Sequence, residues 1–589
     1  MLGTNYIKIL RLNLTDKTIS IERRDDLLRD YLGGLGIAAK LLEENVKPDK
    51  DPLDPGQPLI FAIGPMNTYF PVVSKVACTF RSPLTGNYGE SHAGGRLAMS
   101  ILSAGYDALV ITGKSDRPVY LSITNSSLKF EDASYLWGRP VEETGQILRD
   151  REAHIGSGKR SIIRIGPAGE KLVRFAAVNV DTYRHFGRLG VGTVMGSKNL
   201  KAIAIGGNNT YHAANLKDYS RLFHQIFRHI NSSPVMKKYH DLGTLQNILP
   251  LNAIKSLPTR NLKTTTFEHA EEISGESMAE ELLLRKFACV SCPVACIHVG
   301  LLREQYHPGH DYQYKRIVYD YEPVYSLGPM IGVGDKKDIL TLIDKVEEYG
   351  FDSMSIGPIL SWMTEAYEKG LISEQQTGIP LAFGDVKSYL DVIDRIVRQE
   401  NQFYKDIGDG VAEASKKYGG EDFALHVGKN EIAGYHTGYG ALLGYAVGAR
   451  QGHLDNAGYS FDQETRDYDF DKLILDIIVE EQNRDFLQTL NICLFARKVY
   501  MDKQLVSDCL KSLGINRTPE ELIQLGERIW KLKNQIKGKL GFNQNDIKFS
   551  KRFFETETMH GLLDESRLYE LMQQYIKKRD EIMESIPGL

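Results

Sequence analysis

Along the first 210 or so residues, apolar positions fall in short β-branched runs bounded by turn residues, as in Leu59-Ile-Phe-Ala-Ile-Gly, Ala108-Leu-Val-Ile-Thr-Gly, Val119-Tyr-Leu-Ser-Ile and Ser161-Ile-Ile-Arg-Ile-Gly. Runs of this length and composition predict strands. The opening Met1-Leu-Gly-Thr-Asn-Tyr-Ile-Lys-Ile-Leu-Arg-Leu-Asn-Leu alternates as a strand does and has no cationic start followed by an apolar stretch, so neither export nor membrane spanning is expected. After Gly206-Gly-Asn-Asn-Thr the apolar period becomes helical, as in Ile339-x-x-Leu342-Ile343-x-x-Val346, and remains largely helical to the end. Glycine punctuation at Tyr418-Gly-Gly-Glu-Asp is the natural place to divide that half. The expected fold class is α+β, with a β-rich domain over 1–210 and two mainly helical domains over 211–420 and 421–589. No internal repeat or low-complexity tract interrupts the pattern.

Composition changes this picture little. Hydrophobic residues at 42% and charged residues at 25% are ordinary for a globular chain, and a length of 589 predicts several domains. A formal charge of −4 leaves no basic footprint, so neither nucleic acid nor an anionic membrane is an expected partner. Six cysteines are too sparse for a disulfide-stapled secreted domain.

The cysteines carry the strongest chemical signal. Cys289-Val-Ser-Cys292-Pro-Val-Ala-Cys296 forms a tight run, and Cys493 stands far along the chain. Four thiolates suit a [4Fe-4S] cluster, with the fold bringing in the fourth. Structural zinc remains the alternative, although its ligands usually come as two close pairs. Cys78 and Cys509 read as buried inert thiols. Two glycine-rich loops, Arg81–Arg96 and Arg184–Gly192, combine bare backbone amides with arginines, which suits a phosphate; tight turns in a β-rich domain are the plainer reading. Neither loop matches a Rossmann or Walker pattern, which disfavours nicotinamide and ATP.

Taken together, Ser82-Pro-Leu-Thr-Gly, Gly94-Gly95, Ala104-Gly-Tyr-Asp, Ile165-Gly-Pro-Ala-Gly-Glu, Gly190-Val-Gly-Thr-Val-Met-Gly-Ser-Lys-Asn-Leu-Lys-Ala, the three-cysteine run, Tyr321-Glu322 and Gly350-Phe-Asp352 make the chain resemble the aldehyde:ferredoxin oxidoreductase family of tungsten-pterin enzymes over nearly its whole length. The stretch from Tyr435 to Ser460 looks like the broad-specificity branch. The resemblance implies a bis-pyranopterin tungsten cofactor, molybdenum not being excluded, beside a [4Fe-4S] cluster held by Cys289, Cys292, Cys296 and Cys493. It implies that Lys75, His92, Ala93, Gly94, Gly95, Arg184, His185 and Gly187 meet the pterin phosphates, with Mg²⁺ bridging them through carbonyls near His92 and His185. Lys75 stands where the family often has Arg, and His92 where Asn is usual. A first pterin motif is expected at Glu347, Gly350, Phe351 and Asp352, and a second, degraded one at Gln488, Asn491, Ile492 and Leu494 beside Cys493. Without the resemblance these segments read as helix ends, with Gly350 near a C-cap and Gln488 solvated.

For chemistry, the candidates are Glu322 as general base, His453 as proton donor or relay, and Tyr321 as an orienter of the substrate carbonyl. Their plainer readings are a helix-start residue for Glu322 and a structural histidine for His453. Tyr435, Tyr439, Tyr445 and Tyr459 are candidates to line an entrance for aryl or mid-chain aldehydes, or are core. The implied reaction is reversible oxidation of aldehydes to carboxylic acids in an oxygen-poor cytoplasm, with electrons leaving to ferredoxin or a small iron–sulfur subunit near Cys289 and Cys493. The alternatives are a tungsten reductase subunit acting on an aromatic acyl-CoA, and a non-catalytic zinc or iron–sulfur scaffold. The resemblance is compatible with a homodimer or hetero-oligomer, but Thr341 and Asp344 stand where a metal at a dimer contact would find its ligands, which leaves such a metal unsupported.

Overall fold

The computed structural model describes residues 1–156 and 158–587. Two six-stranded sheets, with helices between their strands, form the frame of the first 205 residues. In spatial order the first sheet runs Thr18–Arg24, Ile7–Asn13, Ala108–Thr112, Leu59–Ala62, Val76–Arg81 and Tyr88–Ala93. The second runs Arg184–Phe186, Val178–Val180, Ser161–Arg164, Leu200–Ile205, Val119–Ile123 and Leu128–Asp132. All four runs singled out from the apolar pattern are therefore strands. Leu59–Ala62 is buried at every position, which is why it reads as continuous apolar sequence rather than alternation. Each sheet ends in an edge strand, Tyr88–Ala93 in one and Arg184–Phe186 in the other, and the two edges lie side by side. Phe61 and Phe186 pack across the junction with ring centroids 5.3 Å apart. Cys78 lies buried within strand Val76–Arg81.

The rest is mainly helical, with one departure from the periodicity. Leu283–Phe287, Ile297–His307 and Asp311–Tyr319 form a three-stranded antiparallel sheet, and the three-cysteine run is the loop between its first two strands. The long strands escape a strand reading because their polar outer ends, such as Arg303-Glu-Gln-Tyr-His, carry no apolar alternation to mark them. A short hairpin, His426–Val427 with Asn430–Glu431, follows the glycine pair near 420.

Three helices deliver the site. Lys336–Tyr349 is capped by Asp335, whose carboxylate accepts from the Lys337 and Asp338 amides, and it buries the Ile339, Leu342, Ile343 and Val346 stripe. It stops at Gly350, whose φ of +76° favours glycine. Phe470–Thr489 packs against Pro519–Lys539, a helix started by a Thr518–Glu521 capping box. The buried cores do not follow chain order: one joins the N-terminal sheets to residues of these last two helices, and the other joins 168–176 to the helices between 245 and 586. Among the described residues no helix is long and apolar enough to cross a membrane.

Candidate active site

A cavity of about 310 Å³ opens where the two sheet edges meet the helical half. From the first edge, alternation on Tyr88–Ala93 sends Glu90 and His92 to one face, and both line the cavity. From the second come Arg184, His185, Gly187 and Arg188. Of the other expected residues, Lys75, Gly94, Glu347, Phe351, Asp352, Gln488, Ile492, Cys493, Leu494, Glu322 and His453 also line it, whereas Cys289, Cys292 and Cys296 do not.

Several expected residues stand elsewhere. Tyr321 does not line the cavity: it is fully buried, its hydroxyl donates to the Gly434 carbonyl, and its ring packs against Tyr325 and Tyr435. A phenol so committed cannot orient a substrate carbonyl. Gly350 is a helix cap pressed against Gly166, and its carbonyl accepts from the Ala177 amide. Asn491, with φ +60°, donates to the Ala62 carbonyl and to Asn67, and its own carbonyl accepts from the Lys75 amide. It positions Lys75 rather than touching the cavity. Ala93 and Gly95 flank the lining without joining it. Tyr439 packs on Tyr468 and Phe470, and Tyr445 donates to the Tyr435 carbonyl from the core, so neither forms an entrance. Gln488 is not solvated but 4% exposed.

The cysteine run is anchored beside the cavity. Val72 donates to the Ser291 carbonyl and accepts from the Cys493 amide, while the Val290 amide donates to Gly95. One short N-terminal stretch thus holds both cysteine segments. A Cβ on Gly94 would meet Cys289 Sγ at 2.8 Å, so glycine is required for the thiol to approach. Burial, then the neighbouring thiols of Cys289 and Cys493, push the Cys292 thiol up to about 12. All six cysteines are unpaired, and among the described residues no group of three His, Cys, Asp or Glu side chains is arranged to hold a single metal ion.

At one end of the cavity, Glu322 Oε1 lies 3.5 Å from His453 Nε2 and accepts from the Tyr435 hydroxyl at 3.4 Å. Burial alone would raise the Glu322 carboxyl, but His453, a backbone amide and Tyr435 outweigh it and hold it below its ordinary value. Burial lowers His453, with Glu322 offsetting only part. The resting pair is a carboxylate beside a neutral imidazole.

At another end, charges are packed without solvent. His92 Nε2 is 2.8 Å from Glu90 Oε1, Lys533 Nζ is 2.9 Å from Glu90 Oε2 and 2.7 Å from Asp485, and Arg450 is 3.3 Å from Glu90 and 2.5 Å from Asp455. Burial opposes ionisation of Glu90, yet Arg450 and Lys533 hold it well below the carboxylate range. Asp485, sharing Lys533 with Glu90 in a buried setting, is shifted upward. A third group pairs Glu347 with His185 at 2.6 Å and Asn179 at 3.0 Å, and Arg188 with Asp352 at 3.1 Å. Glu90, Asp320, Asn430 and Arg450 line the cavity without having been marked as candidates by the sequence, although Glu90-x-His92 on a strand is a readable signal for the first, and Arg188 belongs to the arginine-bearing loop expected at a phosphate.

Comparison with known proteins decides the family. The family model for the N-terminal domain of aldehyde ferredoxin oxidoreductase matches residues 9–207, and that for its domains 2 and 3 matches 221–580. The chain belongs to the aldehyde ferredoxin oxidoreductase family. It is 33% identical to a tungsten-containing aldehyde ferredoxin oxidoreductase of Pyrococcus furiosus, over 98% of this chain and 96% of that one. A protein described as an aliphatic sulfonate oxidoreductase, WOR-like subunit, from the same organism is 29% identical over 89% of this chain and 84% of its own length. In fold, the chain is similar to a solved structure described as the active site complex BamBC of benzoyl coenzyme A reductase in complex with 1,5 dienoyl-CoA, with a TM-score of 0.82 at 20% identity, covering 98% and 94%.

The chain is thus an oxidoreductase whose family implies a tungsten-pterin cofactor, and the cavity wall fits such a group. Six lining residues carry buried polar atoms with no hydrogen-bond partner, His92 Nδ1, Arg184 Nε and Nη2, Asn430 Oδ1, Arg450 Nη2, His453 Nδ1 and Gln488 Oε1, although Arg184 Nη2 stands 4.0 Å from the Asp320 carboxylate. Buried polar atoms left open in this density belong to a ligand site rather than to a finished core. The space at Gly187, where a Cβ would meet nothing within 4 Å, leaves room beside Arg184 and His185.

Proposed function

We propose that the protein oxidises aldehydes to carboxylic acids, reversibly, and passes the electrons through one [4Fe-4S] cluster to ferredoxin or a small iron–sulfur subunit. The observation that carries this reading is the Glu322–His453 pair facing the same cavity as Cys493 and the six residues with unpartnered polar atoms. Per turnover, an aldehyde and water become an acid, two electrons and two protons. When bound, the tungsten-pterin group supplies the two-electron acceptor, and Cys289, Cys292, Cys296 and Cys493 would hold the cluster that releases the electrons singly. Lys75, Arg184 and His92 would donate to the pterin phosphates, with Mg²⁺ on nearby carbonyls. Glu347 and Asp352 would face one pterin and Gln488 the other.

The chain's own acid–base work follows from the resting pair. Glu322, ionised, takes a proton from the attacking water. His453 donates its Nε2 hydrogen toward Glu322, leaving the unpartnered Nδ1 as an acceptor, so the ring can take a proton at one nitrogen and pass one from the other. A cytoplasmic, oxygen-poor setting is in keeping with the cluster.

The test is anaerobic purification, metal analysis and an aldehyde panel with a low-potential dye. About four iron and one tungsten per chain, with dye reduction by an aldehyde, is the expected result. Zinc without iron or tungsten would sink the enzyme reading. Reduction of benzoyl-CoA with no aldehyde turnover would move the chain to acyl-thioester reduction, the second reading that the fold likeness to benzoyl coenzyme A reductase favours.

A further inference from the structure

Two of the acid–base and cysteine positions are followed directly by apolar side chains that line the same cavity: His453 by Leu454, and Cys493 by Leu494 and Phe495. Leu454 is 39% exposed, and Leu494 and Phe495 are half-buried, so this apolar group reaches solvent; Glu322 is half-buried as well, and His453 beside it is buried. The exposed wall of the cavity is mostly apolar, and such a wall is covered favourably by an apolar part of a ligand. Phe495 is also held in place. Tyr239 stacks on it with ring centroids 4.8 Å apart and planes 15° from parallel. Tyr239 rides on helix Pro234–Leu242, which is fastened to the cysteine loop where His240 Nδ1 meets the Val294 carbonyl at 2.8 Å and His298 Nε2 meets the His240 carbonyl at 3.0 Å. One ring face is thus covered, and the rest of the ring turns to the cavity.

We infer that Leu454, Leu494 and Phe495 form an apolar lip that receives the flat hydrocarbon part of the substrate while its carbonyl faces Glu322 and His453, so that the site selects aryl aldehydes and their acids over short aliphatic ones. Phe495 is the specificity-determining contact, and Tyr239 is a positioning residue that acts through it. A second ring laid against Phe495 continues an existing stack in the offset or edge geometry that aromatic pairs prefer. The inference rests on the aldehyde reading for its catalytic consequence but not for its binding consequence.

The experiment compares wild type, Phe495→Ala, Tyr239→Ala and Tyr239→Phe, each judged intact by its visible cluster absorbance. The ratio of kcat/KM for benzaldehyde to that for acetaldehyde should favour benzaldehyde in wild type and fall about tenfold or more in Phe495→Ala, chiefly through KM. Tyr239→Ala should lower it less, and Tyr239→Phe should restore it. A ratio that Phe495→Ala leaves unmoved overturns the lip. Saturation-transfer NMR of benzoate and acetate on the same proteins reads the lip without turnover. Wild type should transfer saturation to the benzoate ring and Phe495→Ala should not; transfer of equal strength in the two proteins overturns the lip. Benzoate bound through Phe495, with no aldehyde oxidised by wild type, would remove the aldehyde reading and leave the lip standing.

Discussion

Two groups of charge meet one cavity and differ in how their valences are filled. Glu90, His92, Lys533, Arg450 and Asp485 form a set closed around its central carboxylate: Glu90 is bonded by His92, Lys533, Arg450 and the Tyr88 hydroxyl, and its side chain has no exposure, while His92 Nδ1, Arg450 Nη2 and Asp485 Oδ2 around it keep no hydrogen-bond partner. The Glu322–His453 pair is open, at 3.5 Å, with a free imidazole nitrogen and a carboxylate side chain 22% exposed. A filled carboxylate such as Glu90 has no capacity left for a reacting group and serves to hold one sheet edge, two helices and the segment of Arg450 and Asp455 together. An open pair can change protonation at modest cost. The contrast teaches that buried charge near a cavity is not by itself a sign of chemistry; spare valence facing the substrate is.

The sharpest test of that division is at the open pair. Glu322→Gln should lower kcat by about 10²–10⁴-fold while leaving the thermal midpoint and cluster absorbance near wild type. A comparable fall in stability would mean that the pair is architectural after all. The converse holds for Lys533→Met, which removes the ion pair of the buried Asp485 and leaves Glu90 to Arg450, His92 and Tyr88. It should destabilise by about 3–5 kcal/mol, read as a lowered melting temperature. If Lys533→Met folds normally and loses turnover instead, the closed set carries chemistry.

The pH profile sharpens the same contrast. Both Glu322 and His453 sit below their ordinary pKa values, and both must be unprotonated to accept protons. The profile of kcat/KM should therefore be flat above the usual histidine value of 6.5 and fall on its acid side, by about tenfold per pH unit where one of the two is protonated and by about a hundredfold where both are. His453→Asn should change that limb, and a limb lying above the usual histidine value would contradict the assignment. The smallest effect is expected at Glu347→Gln. Its pair with His185 is partly exposed, at 30% and 25%, so stability should change by only about 0–1 kcal/mol. Tungsten retained per chain is the informative readout there, because Glu347 faces the cavity.

The two expected pterin motifs separate along similar lines. Glu347 and Asp352, the carboxylates at the two ends of the first motif, are both held by cations or amides of the N-terminal domain. In the second motif the leading carboxylate is absent, Gln488 keeps an unpartnered oxygen, and Asn491 works as a backbone clasp. The buried acid on that helix, Asp485, lies one turn earlier and faces Lys533. Nothing in Gln488-Thr-Leu-Asn-Ile-Cys493 reveals this, because an asparagine at positive φ and an exposed amide look alike on paper.

What the chain determines by itself is what depends on local order. Strand runs, helical stripes, caps such as Asp335 and Thr518, and the cysteine spacing are all short-range patterns, and each appears where its residues favour it. The tertiary structure alone decided that Glu90 meets Lys533, that Val72 ties Ser291 to Cys493, and that Tyr321 spends its hydroxyl on Gly434. These contacts join residues far apart in sequence, so no periodicity encodes them. They arise because two sheet edges and two helix ends are driven to exclude water at one place, where burial favours partners for polar groups and leaves open chiefly those that face the cavity.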